Sequence, residues 1–268
     1  MTQDARSAAA IIALEHVTKT FDGGRVTALA DVSLTVPEGQ FLAIVGKSGS
    51  GKTTLLRLAN RLIEPDRGTV RFQGENVREV DPIALRRRIG MVFQNAGLFP
   101  HMTVAENIGI TPRLIGAPAA ETQHRVDELL ALVHLDASKY RDRYPRELSG
   151  GERQRVGVAR ALAARPRVVL MDEPFGALDL ITRDALGSDY RRLHETLSLT
   201  TVMITHDIVE ALLHADRIAV MHGGEIVAQG TAAELSENRD DYVGELLNTP
   251  RQQAERLQAL LLSRRGQA

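Results

Sequence analysis

The sequence predicts a layered α/β protein with a parallel sheet at its centre. Three observations carry the prediction. The first is a set of apolar-rich runs without polar alternation: Phe41-Leu42-Ala43-Ile44-Val45, Val168-Val169-Leu170-Met171 and Thr201-Val202-Met203-Ile204. Strands of this kind are covered on both faces, as parallel strands are. The second is that helical patterns separate them. The third is size, because 268 residues at 43% hydrophobic content suffice for a packed core and one or two domains.

Ile11–Val17, Ala28–Val36 and Phe41–Val45 read as strands, separated by the turn residues Asp22-Gly23-Gly24 and Pro37-Glu38-Gly39. A glycine-rich loop follows, then a helix whose apolar positions Leu55, Leu56, Leu58, Ala59 and Leu62 recur at helical spacing. From about Thr103 to Ala164 the patterns are helical, clearest over 119–133 and 151–164. They read as a helical insertion between two halves of one core. From about Thr231 the chain is helical and charged, closing on Arg264-Arg265. Arg86-Arg87-Arg88 reads as a solvated helix face. There is no internal repeat and no low-complexity linker.

Composition excludes several classes. Lys plus Arg total 33 against 34 Asp plus Glu, a net charge of −1, which disfavours a nucleic-acid partner. With no cysteine there is no disulfide scaffold, thiolate zinc site or cysteine nucleophile, and the chain fits a reducing cytoplasm. The eight histidines show no metal-ligand spacing. The longest apolar run, Ala8–Leu14, is far short of the roughly 20 residues of a spanning helix and has no signal-type cleavage site after it. Attachment to a membrane would go through a partner.

Gly46-Lys47-Ser48-Gly49-Ser50-Gly51-Lys52-Thr53 fits G-x-x-x-x-G-K-[ST] between a buried strand and a helix, the setting a phosphate loop requires. Its glycines let backbone N–H groups turn toward a β-phosphate. Lys52 reaches the β- and γ-phosphates, and the Thr53 hydroxyl can ligand Mg²⁺. Asp172, at the end of the second buried strand, is placed to hold Mg²⁺, and Glu173 to polarise an attacking water as general base. Leu148-Ser149-Gly150-Gly151-Glu152 opens a further helix. Ser149 with Glu152 is a capping box, and two glycines in a first turn fit a backbone that approaches a phosphate.

These five residues, with the phosphate loop and Asp172-Glu173, resemble the signature set of ATP-binding cassette (ABC) ATPases. Their spacing agrees, at 172 − 148 = 24 residues. The resemblance spans roughly residues 11–245. It implies a P-loop NTPase (RecA-like) core with a parallel sheet, an N-terminal antiparallel β subdomain and an inserted α-helical subdomain at about 95–164, all within a cassette at 1–240. A C-terminal helical tail would occupy 241–268. It further implies ATP and Mg²⁺ as ligands, and a dimer in which the signature of one copy covers the ATP of the other. Gly46, Ser48, Gly49, Ser50, Gly51, Lys52, Thr53 and Thr54 match the nucleotide-binding loop, and Ser149, Gly150 and Gly151 the signature. Gln94 matches the glutamine that senses Mg²⁺ and meets the transmembrane partner. Asp179, in Ala177-Leu178-Asp179, matches a dimer-interface loop. His206 matches the γ-phosphate histidine, and Phe21 the adenine-stacking aromatic. Catalysis would rest on Glu173, His206, Gln94 and Lys52, and Mg²⁺ on Thr53, Gln94 and Asp172.

Within the family the chain is most similar to the ATPase subunits of osmoprotectant importers for glycine betaine, choline and carnitine. Asn60–Pro65, Gly97–Thr103, Tyr140–Pro145 and Phe175–Asp179 carry this similarity. It implies transmembrane permease subunits, an extracytoplasmic substrate-binding protein, and a place on the cytoplasmic face of the membrane. An importer of another cargo (an amino acid, a sulfonate or a lipid) stays open, as does, more remotely, a non-transport ABC ATPase. Leu180 stands where proline is usual and Lys47 where proline is frequent. The residues after Tyr242 are too few for the paired CBS domains of many subgroup members, so no ionic-strength sensor is expected. Gly97-Leu98-Phe99-Pro100 is either the contact with the membrane subunit or packing within the helical insertion.

Overall fold

The computed structural model describes residues 10–265. Ala8, at the start of the apolar run, and the side chains of Arg264 and Arg265 lie outside what it describes. The chain opens with β1 (Ala10–Phe21), β2 (Val26–Pro37), β3 (Phe41–Val45) and α1 (Lys52–Ala59). Next come β4 (Arg67–Phe72), β5 (Glu75–Asn76), α2 (Pro82–Arg87) and β6 (Ile89–Val92). Then follow α3 (Val104–Leu114), α4 (Ala119–Leu132), α5 (Ala137–Tyr140) and α6 (Gly150–Leu162). The second half runs β7 (Val168–Asp172), α7 (Leu180–Thr196), β8 (Thr200–Thr205), α8 (Ile208–His214), β9 (Arg217–His222) and β10 (Glu225–Gly230). It ends on α9 (Ala232–Ser236) and α10 (Asp241–Arg265).

Two sheets form. The smaller is antiparallel, in the order β2-β1-β4-β5. The larger has the order β10-β9-β3-β8-β7-β6 and is parallel except for the β9–β10 hairpin. This is the α/β P-loop architecture with an antiparallel β layer and a helical layer. The absence of alternation in β3 has its physical counterpart: every residue of the strand is at most 1% exposed. Phe41, Ala43 and Val45 face the helices, whereas Leu42 and Ile44 face α1 and the antiparallel sheet. Val169 and Met171 of β7 divide from Val168 and Leu170 in the same way. The central sheet therefore serves two cores at once, which is why its strands read as continuous apolar runs.

Between β6 and β7 the chain is helical, and α6 packs with α3 and α4 on one side and β6 on the other. Thr103 and Ser149 start α3 and α6 with full capping boxes to Glu106 and Glu152.

Two expectations need correction. The helix after the glycine-rich loop ends at Ala59, so Leu62 is not on it and is 50% exposed. Arg61 adopts a positive φ, and the Leu62 and Arg61 N–H groups donate back to the Arg57 and Leu58 carbonyls at 2.8 and 3.0 Å, a Schellman cap that turns the chain out of the helix, with the Asn60 side-chain oxygen 3.2 Å from the Leu62 N–H. The arginine run is exposed but not merely solvated. Arg86 donates to the Asn60 and Arg61 carbonyls, and Arg88 to Glu75 and Gln73, so the run ties α2 to the strands and turn beside it.

Candidate active site

The carboxyl ends of β3, β8, β7 and β6, four adjacent parallel strands, deliver the chemistry. Ligands gather at such an edge in open α/β sheets. After β3 comes the phosphate loop, after β7 Glu173, after β8 His206 and after β6 Gln94. The loop folds as it does because two positions tolerate no side chain. At Gly51 φ is +101°, and a Cβ would lie 2.3 Å from the Ala28 carbonyl oxygen. At Gly46 it would lie 2.2 Å from that of Met221. Ser48 to Thr54, Val26 to Ala28 and Glu173 line a cleft of about 200 Å³.

Lys52 is buried, and its ammonium donates to the Gly46 and Lys47 carbonyls at 2.7 and 3.0 Å. Burial lowers its pKa, opposed by the carboxylates of Glu173 and Asp172. Asp172 is shifted upward by burial and by neighbouring Glu173, with Arg57 and Lys52 holding it back. The buried Ser50 hydroxyl has no partner among the described residues. A buried cation parked on carbonyls and a buried hydroxyl without a partner fit a phosphate group. The hydroxyl and carboxylate oxygens of Thr53 and Asp172 are the hard donors that Mg²⁺ takes alongside phosphates.

Glu173 Oε2 is the focus of the acid cluster. Gln94 Nε2 donates to it at 3.1 Å and His206 Nδ1 at 3.2 Å. Glu173 has φ +43°, a conformation that costs a non-glycine residue about 1 kcal/mol or more and recurs where a side chain must be aimed. Its own N–H donates to Ile204 O at 2.9 Å, carrying the parallel β7–β8 ladder one step past Asp172. The structure thus brings Gln94, Glu173 and His206 together from three loops.

The signature segment is elsewhere. Ser149 and Gly150 are exposed, and no residue from 148 to 152 lines the cleft. The Ser149 hydroxyl accepts the Glu152 N–H at 3.3 Å, and Tyr140 holds Glu152 from the side at 2.6 Å. Gly151 has a packing reason as well as an electrostatic one, since a Cβ there would meet the Thr182 methyl at 2.7 Å. Asp179 caps α7, accepting the Thr182 N–H and hydroxyl at 3.0 and 2.7 Å. Phe21 ends β1 opposite Val26, a wall of the cleft, and is 39% exposed with the Lys19 ammonium over its ring.

Three buried residues that sequence reasoning passed over shape the loop after β6. Gln154 Nε2 donates to Phe93 O at 3.1 Å. Arg160 donates to the Ala96 and Gly97 carbonyls at 2.6 and 2.7 Å. Asn107, fully buried, accepts the Phe99 N–H and donates to the Phe99, Met102 and Thr103 carbonyls. Their signal in the sequence was only a polar residue on an apolar helix face. Between them they leave the Phe99 ring 40% exposed beside Phe93 and Leu114, on a groove of about 310 Å³.

The pattern of the ABC transporter family matches residues 29–176, which take in the phosphate loop, the signature segment and Glu173. The chain belongs to that family. This ABC cassette is 49% identical over 234 residues to the glycine betaine uptake system ATP-binding protein YehX of Escherichia coli (strain K12), covering 87% of the chain and 75% of that protein. It is 48% identical over 242 residues to the choline transport ATP-binding protein OpuBA of Bacillus subtilis (strain 168). That match covers 90% of the cassette but 63% of OpuBA, so the chain spans less than two thirds of that relative's length. Among solved structures it resembles a dimeric post-hydrolysis state of the ATP-binding cassette MJ0796 bound to ADP and Pi. There the TM-score is 0.74 at 34% identity, over 82% of this chain and 98% of that one.

Proposed function

We propose that the chain hydrolyses ATP for an ABC importer of quaternary-amine osmoprotectants of the glycine betaine, choline and carnitine type. The observation that carries the ATPase reading is the convergence of Gln94 and His206 on one oxygen of Glu173, at the mouth of a phosphate loop. Glu173 orients the attacking water and takes its proton. Lys52 leaves the Gly46 and Lys47 carbonyls for the β- and γ-phosphates, and Ser50 and the loop amides hold the β-phosphate. Thr53, Gln94 and Asp172 would hold Mg²⁺, which neutralises charge on the phosphates. His206 meets the γ-phosphate from the other side, and Phe21 stacks on adenine.

Two copies complete the site. Ser149 and Gly150 are exposed, Gly151 is half-buried, and all three are absent from their own cleft, which supports their serving a second copy's ATP. Asp179 lies beside Leu180 and Ile181, 78% and 83% exposed, an apolar edge suited to that contact. The groove at Phe93, Phe99 and Leu114 is suited to a permease segment, with Gly97–Pro100 at its rim. No helix among the described residues is long and apolar enough to cross a membrane. In this reading the membrane work belongs to the permease partner and cargo capture to an extracytoplasmic binding protein. The cargo reading rests on the relatives' names.

Glu173→Gln tests the chemistry. Hydrolysis is expected to fall by about 10²- to 10⁴-fold, the worth of a general base, with MgATP binding kept. Near-normal turnover would remove Glu173 from its role. Uptake of labelled glycine betaine, in a deletion strain complemented with wild type or Lys52→Ala, tests the cargo. Uptake that is indifferent to either would leave an importer of another substrate.

A further inference from the structure

The first turns of α10 lie against the start of the phosphate loop, where Tyr242 and Glu245 line a groove with Lys47 and His206. Tyr242 Oη accepts the Lys47 N–H at 3.0 Å. The same residue is held twice more. Its ammonium sits 5.2 Å from the centroid of the Tyr242 ring and 3.8 Å from Glu245 Oε2, one helical turn on. Tyr242 is itself fixed. Its ring packs on His222 with centroids 4.3 Å apart, Asp240 accepts the N–H groups of Tyr242 and Val243, and Val243 is fully buried.

The Lys47 N–H and the Gly46 carbonyl belong to one peptide group. The carbonyl accepts the Lys52 ammonium at 2.7 Å. A peptide group is planar, so its N–H and C=O turn together. Fixing the N–H on Tyr242 fixes the direction of the carbonyl on which Lys52 rests. We propose that Tyr242 is a positioning residue for the Gly46–Lys47 peptide, and that the start of α10 is a strap that pre-orients the phosphate loop around Lys52 for the nucleotide. The proposal rests on the ATPase reading above. Neither the family motifs nor the residues of the cleft include Tyr242.

Two substitutions isolate the bond. Tyr242→Phe keeps the ring and removes the acceptor. Lys47→Pro removes the donor, since proline has no N–H. Binding of a fluorescent MgATP analogue to the full chain, and the KM and kcat of hydrolysis, are the readouts. Tyr242→Phe is expected to raise the dissociation constant and KM by about three- to tenfold, the range of one neutral hydrogen bond, with kcat within about twofold. In a Lys47→Pro background the same substitution is expected to change nothing, because the bond is already gone. An equal effect in both backgrounds, or none in the wild-type background, would overturn the strap. A wild-type chain that binds no analogue would instead overturn the ATPase reading on which it stands.

Discussion

Glu210 is buried on α8, one turn beyond the loop that carries His206. Thr205 donates its hydroxyl to Glu210 Oε2, and Glu210 Oε1 has no partner among the described residues. Burial raises the pKa of this carboxyl from 4.5 to about 7; Asp207 adds to the rise, while the Thr205 hydrogen bond, Arg183 and His206 oppose it. The folded state therefore keeps a proton that the unfolded chain has released. Stability is unaffected below the unfolded value, falls as pH rises through the interval, and levels off above about 7. At about 1.4 kcal/mol per pH unit the loss comes to roughly 3 kcal/mol. Glu210→Gln removes this titration. Its amide nitrogen takes the unpartnered place of Oε1, at a cost of about 1–3 kcal/mol that does not vary with pH. The stability of Glu210→Gln relative to wild type, from urea unfolding, is therefore expected to rise by roughly 3 kcal/mol between about pH 4.5 and about pH 8. Other titrating groups cancel in the difference. A difference that stays flat across that range would refute the buried, protonated carboxyl.

Gly51→Ala puts a Cβ 2.3 Å from the Ala28 carbonyl at φ +101°, so a loss of about 3 kcal/mol and of nucleotide binding is expected in thermal melts and titrations; a melting temperature equal to wild type would contradict it. Asn107→Leu strips four hydrogen bonds from a fully buried site. A loss of about 2–4 kcal/mol in urea unfolding is expected, and one below about 1 kcal/mol would mean that water replaces the amide. Ser149→Arg is expected to abolish hydrolysis while the isolated chain still binds MgATP. Loss of binding in the monomer would defeat the shared site.

The sequence was most legible where local chemistry and position coincide. The phosphate loop announces itself by glycines that no other residue can replace, and β3, β7 and β8 by apolar runs that only a doubly covered strand needs. The strands that went unseen are those with weaker patterns. β4 mixes Arg67 and Arg71 with Val70 and Phe72, β6 is four residues long behind three arginines, and β9–β10 is a hairpin whose edge strand carries Glu225 and Gln229. Leu62 kept the helical spacing but lost the helix, because Arg61 turns left-handed and closes a Schellman cap on the Arg57 and Leu58 carbonyls. Gln154, Arg160 and Tyr242 act on backbone groups 61, 64 and 195 residues away. No spacing rule reaches across such distances, since the target of each is an amide that every residue possesses.

The two tethers on Glu173 come from different parts of the chain, Gln94 from the loop that runs on into α3 and His206 from the turn before α8. Both end on the same oxygen, so they act as a lock with two keys. If either loop moves alone, the other bond still holds the carboxylate in its rotamer, at a change of about 1 kcal/mol. Only movement of both sets it free to swing. Under the proposed mechanism, a base guarded in this way ignores random jostling of one surface loop and answers to coincident motion of the loops after β6 and β8, which is what fuel economy asks of a motor that should not idle.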